Sequence, residues 1–397
     1  MKIVMLAPFG IRPKGTVAAR MLPLAVELAR LGHEPVIVAP PYTNPEDSGR
    51  EELVAGIWLR NVVLPRLRCA ALAAPQLAWR LYRAVLQENP DLVHLFKPKG
   101  YGGLAAQLLA MRHPALPLFV DTDDWEGQGG MNDLQRYSLP ERLLFDYQER
   151  NLPRLAAGVS VASRTLHERM SAFGVADERL LYLPNCVGTP PVADGGRARH
   201  KLGIAAGRPV VLLYTRFFEF DQERLAWLCA ELVRKAPGVC ILVVGKGRQG
   251  EEQLLQRAAE REGFAGGLCM AGWLEPREIP DYLAAGDVAI YPFADTAVNR
   301  AKCPAKLTEL LCAGRPVVAH RVGMIAEYIR DGLSGILCTP GDWQSMADSV
   351  LALLADDERR REMGRQAREC ILRDFSWPLF AKRLADRYSA RPVSSSI

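Results

Sequence analysis

Short apolar runs alternate along the chain with longer stretches in which apolar residues recur every three or four positions, the pattern of helices packed on a parallel sheet. Lys2 to Ala7 reads as a buried first strand and Arg12 to Gly15 as a loop. Ala18 to Leu31 reads as a helix with Leu22, Leu24, Leu28 and Leu31 inward, closed by Gly32. Glu34 to Ala39 gives the next strand, and further strands are expected at Leu92 to Phe96, Leu118 to Asp121, Gly158 to Ala162 and Leu180 to Leu183. From Thr189 the alternation breaks into a polar patch with Pro190, Pro191, Asp194, Gly195 and Gly196, which predicts an irregular interdomain linker over 189–207. A second series follows: strands at Val210 to Tyr214, Val239 to Gly245, Leu268 to Gly272, Val288 to Tyr291 and Pro316 to Ala319, with helices at Glu223 to Lys235, Glu252 to Glu262 and Pro304 to Ala313. The expectation is an α/β chain of two doubly wound, Rossmann-like domains, 1–188 and 208–375, facing across a cleft. A last amphipathic helix within 376–397 is expected to pack back on the first domain, with Arg391 to Ile397 fraying.

At about 150 residues per domain, the 397 residues accommodate two such units. A hydrophobic share of 49% against 24% charged excludes disorder as the main state. The net charge of +5, with basic and acidic residues interleaved, suits a phosphate-bearing ligand and demands no nucleic acid. The nine cysteines include no Cys-x-x-Cys pair and sit mostly in apolar runs, so reduced buried thiols and a cytoplasmic location are expected. The six histidines show no ligand spacing, and no metal site is expected. No apolar run approaches the roughly 20 residues of a membrane span, leaving at most a peripheral contact with the inner face of a membrane.

The run Lys306-Leu307-Thr308-Glu309-Leu310-Leu311-Cys312-Ala313-Gly314-Arg315-Pro316-Val317-Val318-Ala319, continued by Gly323, Glu327 and Asp331-Gly332-Leu333-Ser334-Gly335, resembles the donor-binding region of the retaining glycosyltransferases of family four, which have the GT-B fold. Further landmarks of that family stand in order: Arg30-Leu31-Gly32-His33-Glu34-Pro35-Val36, Pro90-Asp91-Leu92-Val93-His94, Leu183-Pro184-Asn185, Val243-Val244-Gly245-Lys246-Gly247 and Ala284-Ala285-Gly286-Asp287-Val288. The resemblance covers roughly residues 1–388 and implies a nucleotide diphosphate sugar as co-substrate, no permanently bound cofactor, and a hydroxyl acceptor that is a lipid, a glycan or a small metabolite.

A transferase of this kind holds a diphosphate leaving group, which calls for cations or helix amides placed in advance. The resemblance puts Arg216 on the diphosphate and Glu309 on the ribose hydroxyls. The family's first glutamate falls on Ala301 and is missing, leaving Asn299, Arg300, Lys302 and Asp295 as candidate replacements; the family's lysine after the arginine is also missing, and Lys306 is the substitute. The helix opening near Cys303 to Ala305 is a candidate phosphate site, and the Gly245-Lys246-Gly247 turn a candidate for close approach to the nucleobase. On the first domain, Gly15 matches the family loop that approaches donor phosphates and acceptor. The carboxylates of Asp121-Thr122-Asp123-Asp124-Trp125-Glu126, at a strand's carboxyl end, are expected to raise one another's pKa. Among them Asp123 is assigned to catalysis, and Asp124 and Trp125 to the acceptor side; a divalent metal is the competing reading of the cluster. Lys97 and Lys99, with Arg60, Arg66, Arg68, Arg80 and Arg83, are candidates to hold an acidic acceptor or an anionic membrane, and His94 reads as structural rather than as a base. Two rival readings stand beside the transferase: a nucleotide-sugar epimerase on the same fold, and a nucleotide-sugar binding protein that has lost turnover.

Overall fold

The computed structural model describes residues 1–12, 15–66 and 70–390. The expectations placed on Lys14, Arg68, Cys69 and the end from Arg391 to Ile397 lie outside the described residues. The chain divides into two compact units, one of Met1–Cys186, Ala301–Cys303 and Trp377–Ile397, the other of Val187–Arg300 and Pro304–Ser376.

The sheet of unit 1 is built from β1 (Lys2–Leu6), β2 (Glu34–Ala39), β3 (Glu51–Val54), β4 (Ile57–Asn61), β5 (Leu92–Phe96), β6 (Leu118–Thr122), β7 (Gly158–Val161) and β8 (Leu180–Tyr182). Their order is β3-β4-β2-β1-β5-β6-β7-β8, and every pairing is parallel except the β3–β4 hairpin. β1 reads as a continuous apolar run because helices cover both of its faces, as parallel sheets require. The hairpin was not legible in the sequence: its turn is Ala55-Gly56, both residues at positive φ, and an alanine there gives no turn signal. The first expected helix is a π-helical turn, Val17–Met21, followed by an α-helix, Leu22–Arg30. The last helix, Trp377–Ser389, buries Trp377, Phe380, Leu384 and Tyr388 within unit 1.

The sheet of unit 2 comprises β9 (Val210–Tyr214), β10 (Cys240–Val244), β11 (Leu268–Gly272), β12 (Val288–Tyr291), β13 (Val317–His320) and β14 (Ile336–Cys338). The order is β11-β10-β9-β12-β13-β14, parallel throughout. Where an irregular linker was expected, Gly195–Lys201 is a helix. Asp194 caps it by accepting from the Gly196 amide at 2.9 Å, and Arg199 ties it to the Ala285 carbonyl and to Asp287. Capping and tertiary anchoring thus override the poor helix propensity of its two leading glycines.

Both sheets change winding direction beside their first strand, between β1 and β5 in unit 1 and between β9 and β12 in unit 2. Ligands of open parallel sheets bind beyond the carboxyl ends of the strands at such a switch point. The candidate centre of unit 2 lies there, and that of unit 1 lies beside it, beyond the carboxyl ends of β5 and β6.

Candidate active site

In unit 2, Arg216 stands two residues beyond the end of β9, and the turn that presents it is held tightly. The Phe217 amide donates to Thr215 Oγ1 at 2.8 Å, Phe217 itself adopts φ +70°, and the Thr215 and Gly245 amides bond to the Val244 and Gly272 carbonyls at 3.0 and 2.8 Å. A non-glycine residue in the left-handed region is an uncommon and costly conformation, found where surrounding structure over-determines it. Gly245 cannot be replaced cheaply, since its φ is +122° and a Cβ would collide with the Thr215 carbonyl oxygen. Packing between neighbouring strand ends therefore accounts for this glycine. Lys246, beside it, is exposed.

The helix Ala305–Cys312 places Lys306 in its first turn and Glu309 about one turn on, at spacing that puts both on one face. Tyr214, the last residue of β9, meets both: its hydroxyl hydrogen-bonds Glu309, and Lys306 Nζ lies 3.5 Å from its ring centroid. Burial, followed by the nearby Glu309 carboxylate, pushes the Tyr214 phenol well above its usual range, so it stays a neutral donor. Lys306 and Tyr214 also line a small recess together with Thr215, Glu219, Tyr291 and Phe293. Leu307 and Thr308 amides both turn back to the Pro304 carbonyl, so the helix starts after Pro304.

Cys303 lies ahead of that start. Its carbonyl and sulfur accept from Asn185, and a carbonyl, which can only accept, has no hydrogen to offer a phosphate. Of the candidates for the missing glutamate, Arg300 is exposed and forms a bidentate pair with Asp295 at 2.5 and 2.7 Å. Asn299 spends its amide on the Glu219 and Ala294 carbonyls. Lys302 is buried within unit 1. The structure thus brings Arg216, Lys306 and Glu309 together around Tyr214.

In unit 1, the Asp121–Glu126 segment follows β6 and meets the loop after β5. Lys97, at φ +59°, is buried there and its Nζ lies 3.0 Å from Asp123, 2.6 Å from Asp124 and 2.8 Å from Glu126. Lys99 Nζ is 2.6 Å from Glu126 and donates to the Tyr137 hydroxyl at 3.0 Å. These contacts correct three expectations. The two lysines are committed to carboxylates and are not available to an acidic acceptor. The carboxylates do not all rise: Asp124 is raised by burial, but at Glu126 the two lysines outweigh burial and hold the carboxyl well below the usual range. Trp125 offers no open apolar face, because the Arg169 guanidinium stacks 3.7 Å from its ring centroid while Gly129 and Gly130 pack against the ring. Asp123 contacts the glycine loop through Thr16, whose hydroxyl reaches Asp123 Oδ2 at 3.4 Å one residue after Gly15. Among the described residues no group of His, Cys, Asp and Glu is arranged to hold a metal ion.

Asp121 is fully buried and belongs to a different network. Arg20 grips it with a fork of hydrogen bonds at 2.8 and 2.6 Å, and Ser160 donates to it. His94 bridges Ser160 and Tyr388, accepting from the Tyr388 hydroxyl at 2.6 Å. Burial, reinforced by Arg20, lowers the His94 pKa to about 3, so the ring is neutral and structural. Arg60 is likewise spent on Glu51 and Glu88. Arg20 and Tyr214 were not singled out from the sequence. Arg20 carried a signal: it lies on the buried face defined by Val17, Met21 and Leu24, where an unpaired charge is too costly to keep.

No helix among the described residues is long and apolar enough to cross a membrane. The glycosyl transferase 4-like domain model matches residues 15–186, and the glycosyl transferases group 1 model matches residues 196–370. A D-inositol 3-phosphate glycosyltransferase of Nocardia farcinica is 28% identical over 246 residues, 60% of this chain; the match spans about half (52%) of that relative's length. A GDP-mannose-dependent alpha-(1-6)-phosphatidylinositol monomannoside mannosyltransferase of Mycolicibacterium smegmatis is 28% identical over 377 residues, 92% of each chain. Among solved structures, sucrose-phosphate synthase from Thermosynechococcus elongatus shares the fold with a TM-score of 0.77 at 17% identity, over 98% of both chains. With a family model on each unit and a shared fold over nearly the whole length, the chain belongs to the GT-B glycosyltransferases of family four.

Proposed function

We propose that this glycosyltransferase moves a sugar from a nucleoside diphosphate sugar to a hydroxyl acceptor with retention of anomeric configuration. The observation that carries the reading is the grouping of Arg216, Lys306 and Glu309 around Tyr214 at the switch point of the second sheet. Glu309, held by the Tyr214 hydroxyl, accepts the ribose hydroxyls through its remaining lone pairs. Arg216 and Lys306 supply the positive charge that a departing diphosphate requires, and a guanidinium can do so through two parallel bonds. The bond from the sugar C1 to the diphosphate oxygen breaks and a bond from C1 to the acceptor oxygen forms on the same face. The acceptor's proton passes to the leaving phosphate oxygen, so the step needs no protein nucleophile. Relatives named for GDP-mannose and for inositol-based acceptors support this donor class and a polyhydroxylated acceptor. In unit 1 the carboxylates of Asp123 and Asp124 are the groups suited to accept hydrogen bonds from such an acceptor.

Calorimetric titration with GDP, UDP, ADP, CDP and dTDP tests the donor half. One diphosphate is expected to bind, and Glu309→Ala is expected to weaken it by at least about tenfold, the scale of a lost hydrogen bond to a charged group. A well-folded Glu309→Ala variant with undiminished affinity removes that residue from the site, and no binding by any diphosphate sinks the reading. Proton NMR of the first glycoside formed decides retention, and an inverted product refutes it.

A further inference from the structure

Within unit 1, Tyr42 and Tyr101 stand on either side of β1 at the carboxyl edge of the sheet. Tyr42 lies shortly beyond the end of β2, and Tyr101 opens the helix Gly100–Arg112 that follows β5, so the segments carrying them flank the strand beside which the winding direction changes. Their rings meet edge to face, with centroids 5.5 Å apart and planes at 74°. The pair therefore sits at the switch point, where open parallel sheets bind their ligands.

Tyr42 is 44% exposed, yet the loop that presents it is fixed. Pro40 and Pro41 restrict the backbone, and the Tyr42 and Asn44 amides turn back to the Pro40 and Pro41 carbonyls at 2.9 and 3.1 Å. Asn44 is buried and donates to Asp47 at 2.5 Å, and its side chain lies so close to Gly10, beyond β1, that a Cβ on the glycine would collide with it. A large ring held in place with an open face is preorganised for contact, because little conformational freedom remains to be lost on binding. The hydroxyl end faces inward. Burial, followed by Tyr137, Tyr101 and the Glu126 carboxylate, pushes the Tyr42 phenol well above its usual range, so it stays a neutral donor.

The charges near that hydroxyl decide what kind of ligand fits. The carboxylates of Asp123, Asp124 and Glu126 occupy Lys97 and Lys99, so the cluster holds more acidic than basic groups and does not favour an anion. The Asp124 side chain is 28% exposed and keeps lone pairs beyond those that face Lys97. An open aromatic face beside a carboxylate suits a ring with an apolar C–H face and a rim of hydroxyl donors.

We propose that the Tyr42 ring, backed edge-on by Tyr101, is the stacking face for an uncharged cyclic polyol, a pyranose or an inositol ring, whose hydroxyls donate to the neighbouring carboxylates. The apolar face expected of Trp125 is thus supplied by Tyr42. That this ring is the acceptor of sugar transfer rests on the transferase reading above.

The test is saturation-transfer NMR titration of the full chain with methyl α-D-mannopyranoside and with myo-inositol, on wild type, Tyr42→Ala, Tyr42→Phe and Tyr101→Ala. At least one probe is expected to bind wild type; Tyr42→Ala weakens it about five- to tenfold, the scale of one aromatic stacking contact, while Tyr42→Phe, which keeps the ring, stays within about twofold. Tyr101→Ala weakens binding in the same direction and serves if Tyr42→Ala fails to fold. D-Mannitol, an open-chain polyol with no ring face, is expected not to bind, and myo-inositol 1-phosphate to bind no tighter than myo-inositol. Cosedimentation with phosphatidylinositol vesicles, lost in Tyr42→Ala and competed by free myo-inositol, places the ring on a lipid headgroup; probe binding that needs Tyr42 without such cosedimentation places it on a soluble glycan. The proposal is overturned if neither ring probe binds wild type, if a folded Tyr42→Ala binds as wild type does, or if mannitol or the phosphate ester binds tighter than the rings. Failure of every nucleoside diphosphate to bind wild type sinks the transferase reading instead, and the Tyr42 dependence of polyol binding still decides this one.

Discussion

Replacing Lys97 by Met removes a cation that Asp123, Asp124 and Glu126 share, at 3.0, 2.6 and 2.8 Å, while keeping a side chain of similar length in a buried site. Breaking a buried ion pair by deleting one partner costs about 3–5 kcal/mol, most of it the uncompensated charge left behind. Here the lower end applies. Glu126 keeps Lys99 at 2.6 Å, Asp123 keeps the Thr16 hydroxyl, and the Asp124 side chain is 28% exposed and recovers some hydration. A loss of about 3 kcal/mol lowers the midpoint of a unit of this size by about 6–12 °C at 2–4 °C per kcal/mol. The penalty carries a pH signature. With Lys97 gone, the three carboxylates repel one another and their pKa values rise, so protonation on acidification relieves the variant more than the wild type. Differential scanning calorimetry at pH 8 and pH 5 reads both effects, assigning the unit 1 transition as the one that Lys97→Met moves. A variant within about 1 kcal/mol of wild type at pH 8 would refute the account of the cluster. So would a deficit that fails to shrink between pH 8 and pH 5.

Two more outcomes follow from the same structure. His94 has its folded-state pKa lowered to about 3 by burial, so below its unfolded value of about 6.5 only the unfolded chain takes up the proton. Stability from this group is present above pH 6.5 and is lost as pH falls toward 3, about 2 kcal/mol by pH 5 at 1.36 kcal/mol per unit. His94→Leu lowers stability at pH 7 but removes that part of the slope, which urea unfolding at both pH values measures; an unchanged slope contradicts the assignment. Arg216→Ala is expected to cut kcat about 10²–10³-fold, the scale of losing one preorganised charge-stabilising group. A near-normal rate in a steady-state transfer assay removes Arg216 from the diphosphate site.

Much of this was legible in the chain because local patterns carried it. The continuous apolar runs at β1, β5, β9 and β10 read as strands covered on both faces, and their alternation with amphipathic stretches implied two parallel sheets. The run from Lys306 to Ala319 marked the donor helix and its family, since residues at helical spacing stay neighbours in any fold that keeps the helix. Chain order likewise placed Arg216 at a strand's carboxyl end. What sequence could not decide was which charges meet. Lys97 and the Asp121–Glu126 segment are more than twenty residues apart, and only the β5–β6 register, pairing Phe96 with Asp121, brings them together. That register turned an open basic patch and a self-repelling acidic loop into one ion-paired cluster. The same holds for Arg20, Asp121 and Asn185, for Tyr214 over Glu309, and for Arg169 over Trp125. Hydrophobic periodicity reports burial along a chain; electrostatic pairing depends on distances across it, and those are set only when the elements pack.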